Sequence, residues 1–201
     1  MKKIEKLTKF FLLWILVFMI CCTGSDYDRV LKREMNKGTR YDSLFLGINF
    51  NMERKDFYAH CWRLNKQEVI RQGPSNLSVQ YQIDSALMKH PAYMWFYPEF
   101  KDNKINRMPI DFSYINWAPW LPEMSTDSLL SDTKRLMEKW YGNGFFLVEN
   151  KDKSKHVWVK IDGNRRIMIY PKTISTVQVD LADMTNRTKK LEENDADEVA
   201  N

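Results

Sequence analysis

The sequence predicts an α+β fold in which two halves, each a helix followed by antiparallel strands, share one hydrophobic core. Apolar residues recur with helical spacing over 53–66 and 127–141, and several short runs rich in β-branched and aromatic residues follow each stretch. Turn-forming pairs separate these runs. Hydrophobic residues make up 44% of the 201-residue chain, which is enough to bury a sizeable core. The repeated order of elements favours a tandem duplication of one small unit.

The first 21 residues have the layout of an export signal. A basic stretch, 1–9, precedes an apolar run, 10–20, and then the pair Cys21 and Cys22. As a helix, the run and the cysteines would span roughly 20 Å, short of the ~30 Å hydrocarbon core of a bilayer. We therefore expect a lipoprotein signal in which Cys22 is acylated, with Cys21 as the alternative acceptor. Ordinary secretion and an uncleaved anchor are the other interpretations.

Both ends of the mature chain are polar. Residues 22–40 have the mixed charge of a spacer between the lipid and the folded domain, and a short helix over 28–36 fits their sequence. Residues 186–201 are predicted to form an acidic disordered tail. Four of the 31 basic and one of the 26 acidic side chains lie in the leader, so the mature chain carries a net charge of only +2. This charge excludes nucleic acid as a partner.

The globular domain is predicted to span 41–185, in halves of about 41–115 and 125–185. The first half opens with a strand or an extended lead-in over 41–50. Strands are then predicted in the first half over 78–83, 93–100 and 104–114, and in the second half over 145–149, 156–161, 166–170 and 176–181. The turn signals are Asp102-Asn103 and Asp162-Gly163, and the second is the stronger because a tight hairpin turn needs a positive φ.

Each predicted helix carries an apolar face. On the first helix a stripe that includes Cys61, widened by neighbouring aromatics, predicts a core-facing helix; its members are Phe57, Tyr58, Cys61, Trp62 and Leu64. The second helix has a plausible N-cap at Ser125 or Thr126 and ends at Gly142 and Gly144. Its core face is predicted to hold Leu129, Thr133, Leu136, Met137 and Trp140.

Catalytic and metal-binding patterns are missing from the sequence. His60 and Cys61 are neighbours on a helix and point about 100° apart, so they cannot act as a base and nucleophile together. The three histidines lack metal-ligand spacing, and no nucleotide, hydrolase or metalloprotease motif occurs. The polar residues Asn164, Arg165 and Arg166 fit hairpin turn chemistry and a solvated strand end. We therefore predict no catalytic residue, no metal and no cofactor.

Aromatic residues are the candidate binding group. Trp117 and Trp120 stand in the Pro-containing segment 115–124, where neither helix nor strand periodicity demands them. Their rings can stack on a glycan or a peptide, or they can fill the seam between the two halves. The run Trp95-Phe96-Tyr97 belongs to the same class of candidates.

Longer motifs resemble an uncharacterised family of small Bacteroidota lipoproteins. The similar segments are Asp42-Ser43-Leu44-Phe45-Leu46-Gly47, Phe57-Tyr58-x-x-Cys61-Trp62-x-Leu64-Asn65-Lys66, Gly73-Pro74, Trp117-Ala118-Pro119-Trp120 and Val159-Lys160-x-Asp162-Gly163-Asn164-Arg165-Arg166-Ile167. The resemblance implies a compartment and a lineage, and it implies no activity.

The predicted architecture is also similar to β-lactamase-inhibitor-like folds and to small lipoproteins that assist outer-membrane assembly. Those families bind other proteins. The chain departs from them at the start of the first helix, where Asn51-Met52-Glu53 stands in place of their Gly-Met-Thr opening. Fold likeness of this kind does not carry function.

The resulting functional expectation is a non-catalytic lipoprotein of the bacterial envelope, held to the membrane by its lipid, at the outer rather than the inner membrane. It would bind another envelope protein or a cell-surface glycan. The alternative is an enzyme acting on cell-wall or glycan material.

Overall fold

The computed structural model describes residues 26–149 and 156–185. This part of the chain holds three α-helices: α1 (Asp26–Asn36), α2 (Arg54–Lys66) and α3 (Thr126–Tyr141). It also holds nine strands, numbered in chain order: β1 (Arg71–Gln72), β2 (Val79–Ile83), β3 (Ala92–Phe96), β4 (Glu99–Lys101), β5 (Lys104–Tyr114), β6 (Phe146–Glu149), β7 (His156–Asp162), β8 (Arg165–Thr173) and β9 (Thr176–Asp183). Helix α3 lies between β5 and β6. Short 3₁₀ helices occupy Pro74–Asn76 and Pro122–Met124. The predicted α+β class is confirmed.

All nine strands belong to one antiparallel sheet. Its order is β1-β2-β3-β5-β9-β8-β7-β6, with β4 paired to β5. The first half of the chain therefore supplies one side of the sheet and the second half supplies the other. The two halves meet where their last strands pair, from Arg107 opposite Ala182 to Phe112 opposite Val177.

A single hydrophobic core spans both halves. Because side chains alternate along a strand, every second residue of β5 and β9 points to the same face of the sheet as α3. These residues are almost inaccessible to solvent; they are Met108, Ile110 and Phe112 of β5 and Val177, Val179 and Leu181 of β9. The apolar residues Leu129, Leu136 and Met137 of α3 are equally inaccessible. The predicted sharing of one core between two helix-plus-sheet halves is confirmed.

The ends of α3 follow the predicted capping chemistry. The Ser125 side chain accepts a hydrogen bond from the Ser128 amide, and Gly142 leaves the helix at φ 83°. One buried residue of this helix was not predicted: Asp132 is fully inaccessible. It accepts hydrogen bonds of 2.8 Å each from the Tyr114 hydroxyl and the Lys89 amide. Burial, together with this hydrogen bond, raises the pKa of Tyr114.

Helix α2 faces the core through part of the predicted stripe, with Phe57 in the core and Cys61 packed against it, but the prediction that Tyr58 and Trp62 widen this face is wrong. Phe57 is its buried residue, whereas Trp62 is 60% exposed and Tyr58 is 46% exposed. The physical reason is that the helix lies beside the edge of the sheet. Strand β1 is only two residues long, so there is little sheet for the rest of α2 to cover.

Residues 39–43 lie against the turn between β7 and β8. The Tyr41 amide donates to Asn164 Oδ1 at 2.7 Å, and the Arg165 guanidinium donates to the Ser43 carbonyl at 2.8 Å. Asn164 and Arg165 are both buried. They therefore hold a chain segment in place, and Arg165 is not part of a solvated strand end.

The described residues before position 41 include a helix and a contact with the β7–β8 turn. Helix α1 ends at Asn36, in agreement with the short helix that was predicted over 28–36. Three residues later, the carbonyl of Thr39 closely approaches Gly163. The segment 41–50, predicted as a strand or an extended lead-in, forms no regular strand and is irregular with turns and a single bridge between Ser43 and Asn49. Of the described residues, 26–33 belong to one compact unit, and 34–149 with 156–185 belong to a second that holds the whole sheet.

The leader with Cys21 and Cys22, and the acidic segment 186–201, lie outside the described residues. Among the residues that are described, none of the helices has both the length and the hydrophobicity to cross a bilayer.

Substitution of Gly163 tests the contact between residue 39 and the β7–β8 turn. Gly163 has φ 50°, and a Cβ there would stand 2.0 Å from the Thr39 carbonyl oxygen. We expect Gly163→Ala to lower the free energy of unfolding by about 3 kcal/mol, because backbone strain and a clash add together. Gly38→Ala is the matched control, since Gly38 has φ 67° and no atom within 4 Å of the added Cβ. It should cost only about 1 kcal/mol in urea denaturation. Equal losses would contradict the contact.

Candidate functional site

A cleft lies between α2 and the β1–β2 hairpin. Its volume is about 320 Å³. Its walls are mainly apolar, and we call it the aromatic cleft. The lining residues are Phe57, Tyr58, Cys61, Trp62, Asn65, Ile70, Arg71, Gln72, Asn76, Leu77, Ser78, Val79 and Tyr97.

The connection from α2 to β1 shapes one end of the cleft. The Asn65 side chain donates to the Ile70 carbonyl at 3.0 Å, and Ile70 is buried. The hairpin opposite is tight at its base, where the Gly73 amide donates to the Ser78 carbonyl at 2.9 Å. A Cβ on Gly73 would stand 2.3 Å from Ser78 Oγ, so only glycine allows this close approach.

Aromatic rings form the floor and one wall. The Tyr58 and Tyr97 hydroxyls are 2.7 Å apart, and this hydrogen bond lowers the pKa of Tyr58 and raises that of Tyr97. Phe57 meets the Tyr97 ring edge-to-face, with ring centroids 6.1 Å apart. Edge-to-face pairs add stability beyond their buried area. The two tyrosines are therefore held in place while their outer faces stay in contact with solvent.

The charge around the cleft is positive. Lys66 Nζ lies 3.9 Å from the ring centroid of Trp62, and the Arg54 guanidinium lies 4.2 Å from that of Phe100. Arg71 lines the hairpin side. None of the described residues that line the cleft is acidic. The site thus combines exposed aromatic rings with cations.

Cys61 is a thiol inside this cleft. Burial raises its pKa to about 11, so the thiolate that a nucleophile requires is scarce at neutral pH. The neighbouring His60 does not act as its base, because His60 Nε2 lies 2.6 Å from the carbonyl oxygen of Leu46. The residue behaves as a small apolar contact.

Exposed apolar side chains concentrate at the cleft. The part of the chain that the structure describes has nine large hydrophobic residues with substantial exposure, and four of them line this one depression. These four are Tyr58, Trp62, Leu77 and Tyr97. Single exposed apolar residues are ordinary, whereas a contiguous group of them is less common.

The two tryptophans predicted from the sequence lie elsewhere. Trp117 is half-buried and packs against the core, and Trp120 is 78% exposed. Beside Trp117 is a separate depression of about 310 Å³ that Ile174 also lines. Trp95 of β3 and Tyr97, which follows that strand, do not line it. The seam between the halves is strand pairing, so the exposed Trp120 does not fill it.

Trp62 and Leu77 are cleft residues that sequence reasoning missed. Helical spacing placed Trp62 on a core-facing stripe. A signal in the opposite direction was present, because Lys66 follows Trp62 by one helical turn and a lysine at that position favours a solvated face. Leu77 carried no signal of its own, since an isolated leucine in a turn has no periodicity.

The histidines occupy three unrelated places. The His90 ring packs edge-to-face on Tyr114 at 5.3 Å, and His156 Nδ1 lies 3.0 Å from Glu149 Oε1. Within the described ranges, no group of three or more His, Cys, Asp or Glu residues is placed to hold a metal ion.

The burial difference between the two predicted tryptophans gives a stability test. Trp117→Ala should lower the free energy of unfolding by about 2 kcal/mol, because it removes part of the core packing. Trp120→Ala should change it by less than about 0.5 kcal/mol, because its ring is in water. Urea denaturation of both variants measures this. A large loss for Trp120→Ala would contradict its exposed position.

Comparison with known proteins gives little for this chain. No protein-family model and no curated protein matches it. Among solved structures, it is similar to the crystal structure at 2.13 Å resolution of YjgB, a DUF4309 family protein from Bacillus subtilis. The two share 16% sequence identity, over 77% of this chain and 94% of that one, with a TM-score of 0.31. A likeness at that level supports no inference about function.

Proposed function

We propose that the protein is a non-catalytic lipoprotein of the bacterial cell envelope that binds another envelope protein through the aromatic cleft. The observation that carries the proposal is the gathering of four exposed apolar side chains around one depression. Clusters of this kind, rich in Tyr and Trp, are typical of the centres of protein interfaces.

The chemistry of the cleft indicates what kind of segment it binds. Its apolar walls favour aliphatic or aromatic side chains, which lose water on entry. Arg71 lines the cleft, Lys66 stacks on Trp62 at its edge, and Arg54 hydrogen-bonds Tyr58. A partner segment with apolar residues flanked by carboxylates is therefore complementary, because unlike charges steer the encounter and like charges would be excluded.

The same chemistry argues against catalysis at this site. A general acid or base needs a titratable group within hydrogen-bond reach of a substrate. The carboxylates are absent from the described lining, and the thiol of Cys61 is mostly protonated. The alternative of a cell-wall or glycan-acting enzyme gains no support from the cleft.

The envelope location rests on the leader. We expect Cys22 to be acylated and to become the first residue of the mature chain. Labelling of growing cells with a fatty-acid probe should mark the wild type and not Cys22→Ala. Labelling that survives in Cys22→Ala but disappears in Cys21→Ala would move the acceptor to Cys21. An unlabelled wild type would remove the lipoprotein claim.

Docking at the cleft is tested by cross-linking in intact cells from a photoreactive side chain at position 77, which is 76% exposed. Mass spectrometry of the cross-linked peptide should identify a segment with apolar and acidic residues. Trp62→Ala should weaken binding of that partner by about 2 kcal/mol, or roughly 30-fold. Lys66→Glu should weaken it as well, through repulsion of the carboxylates.

Trp120→Ala is the matched control, because it removes an exposed tryptophan outside the cleft. Its affinity for the partner should equal that of the wild type. Unchanged affinity in Trp62→Ala and Lys66→Glu, with both variants folded, would show that the partner binds elsewhere.

A further inference from the structure

The face of the sheet opposite the core carries an ordered row of polar and aromatic side chains. The row crosses five adjacent strands, from β2 through β3, β5 and β9 to β8. Its members are paired in register as Gln80 with Trp95, Trp95 with Asp111, Asp111 with Gln178, and Gln178 with Tyr170. All of these side chains lie on one face because each pair is directly opposite across its two strands.

A groove of about 360 Å³ lies over part of this row. The β1–β2 hairpin borders it through Pro74 and Ser78, and the remaining lining residues are Trp95, Phe96, Tyr97, Pro109, Asp111, Lys172 and Gln178. A volume of this size falls within the ~300–1,000 Å³ range of small-ligand sites. The groove shares only Ser78 and Tyr97 with the aromatic cleft.

Hydrogen bonds within the row fix two of its members. The Trp95 indole N–H donates to Gln80 Oε1 at 2.9 Å, so the indole is held at one edge. The Tyr170 hydroxyl donates to Gln178 Oε1 at 2.7 Å. Because the amide oxygen of Gln178 is used in this way, its NH₂ group is the part that serves a ligand.

Asp111 is the member whose hydrogen bonding is incomplete. Its Oδ2 accepts from Lys172 Nζ at 2.7 Å. Its Oδ1 is buried and accepts no hydrogen bond from the described residues. The side chain as a whole keeps 31% of its surface exposed, so Oδ2 is the oxygen that faces the groove.

The charge of the groove restricts the ligand class. Asp111 and Lys172 are its charged lining residues among those described, and they neutralise each other. An ionic ligand would have to compete with that pair. A neutral ligand with adjacent hydroxyl groups does not, since a hydroxyl can donate to Asp111 Oδ2, the accessible oxygen of this carboxylate, and accept from the Gln178 amide. The indole of Trp95 offers an apolar surface to the C–H groups of the same ligand.

From this arrangement we infer that the groove is a second binding site, separate from the aromatic cleft, and that its ligand is a neutral saccharide. Asp111 accepts from ligand hydroxyls, Lys172 and Gln178 donate to them, and Trp95 stacks on the ring. The inference does not depend on the proposed protein partner.

The test uses the purified full chain in detergent and two neutral probes, a linear oligomer of glucose and a linear oligomer of N-acetylglucosamine. Isothermal titration calorimetry and tryptophan fluorescence measure binding. We expect at least one probe to bind, with affinity reduced about tenfold or more in Asp111→Asn, which cannot accept at both oxygens. Trp95→Ala should reduce affinity by a similar factor, and Trp62→Ala should leave it unchanged.

Circular dichroism establishes that each variant is folded, and Asp111→Asn is the decisive one because it keeps the size of the side chain. Two results overturn the inference. One is the absence of binding by either oligomer at about 10 mM. The other is binding that folded Asp111→Asn and Trp95→Ala leave unchanged.

Discussion

The pairing of β5 with β9 is the constraint on which the rest of the structure depends. Each half of the chain ends in the strand that the other half needs, so neither half has a complete sheet of its own. Alternate residues of both strands then supply the centre of one core beneath α3. The same pairing moves β1 and β2 to an outer edge, where α2 has little sheet to cover and the cleft opens beside it.

Charged side chains reinforce this junction on the face away from the core. Asp180 of β9 is fully buried and accepts hydrogen bonds from Arg107 of β5 at 2.5 Å and from Arg166 of β8 at 3.0 Å. Arg107 belongs to the first half of the chain and Asp180 to the second. A buried ion pair adds little net stability, because desolvation offsets attraction. Its geometry is nevertheless satisfied in one register only, and a slip of one residue would turn Asp180 towards the core.

Local signals in the sequence predicted most of the helices and strands. Which side chains line the candidate site depends on contacts between distant parts of the chain. The limits of β5 and the cap of α3 were read correctly because strand alternation and helix capping are short-range effects. The exposure of Trp62 depends on how far the sheet extends beneath α2, which no spacing along the helix encodes. Asp132 was missed for a related reason: its partners Tyr114 and Lys89 come from distant parts of the chain. Aromatic residues were the predicted binding group, but the residues chosen, Trp117 and Trp120, do not line the cleft.

Residue 40 and residues 183–185 of the sheet-bearing unit lie side by side. Arg40 donates to Asp183 Oδ2 and to the Thr185 hydroxyl, both at 3.1 Å, so the chain enters and leaves the domain at one point. Proteins with neighbouring ends tolerate circular permutation, because a short connection can join them without distorting the fold. New ends placed in an exposed turn such as Asp102-Asn103 would not interrupt the residues that line the cleft or the groove. A domain fused after residue 185 would also begin beside residue 40.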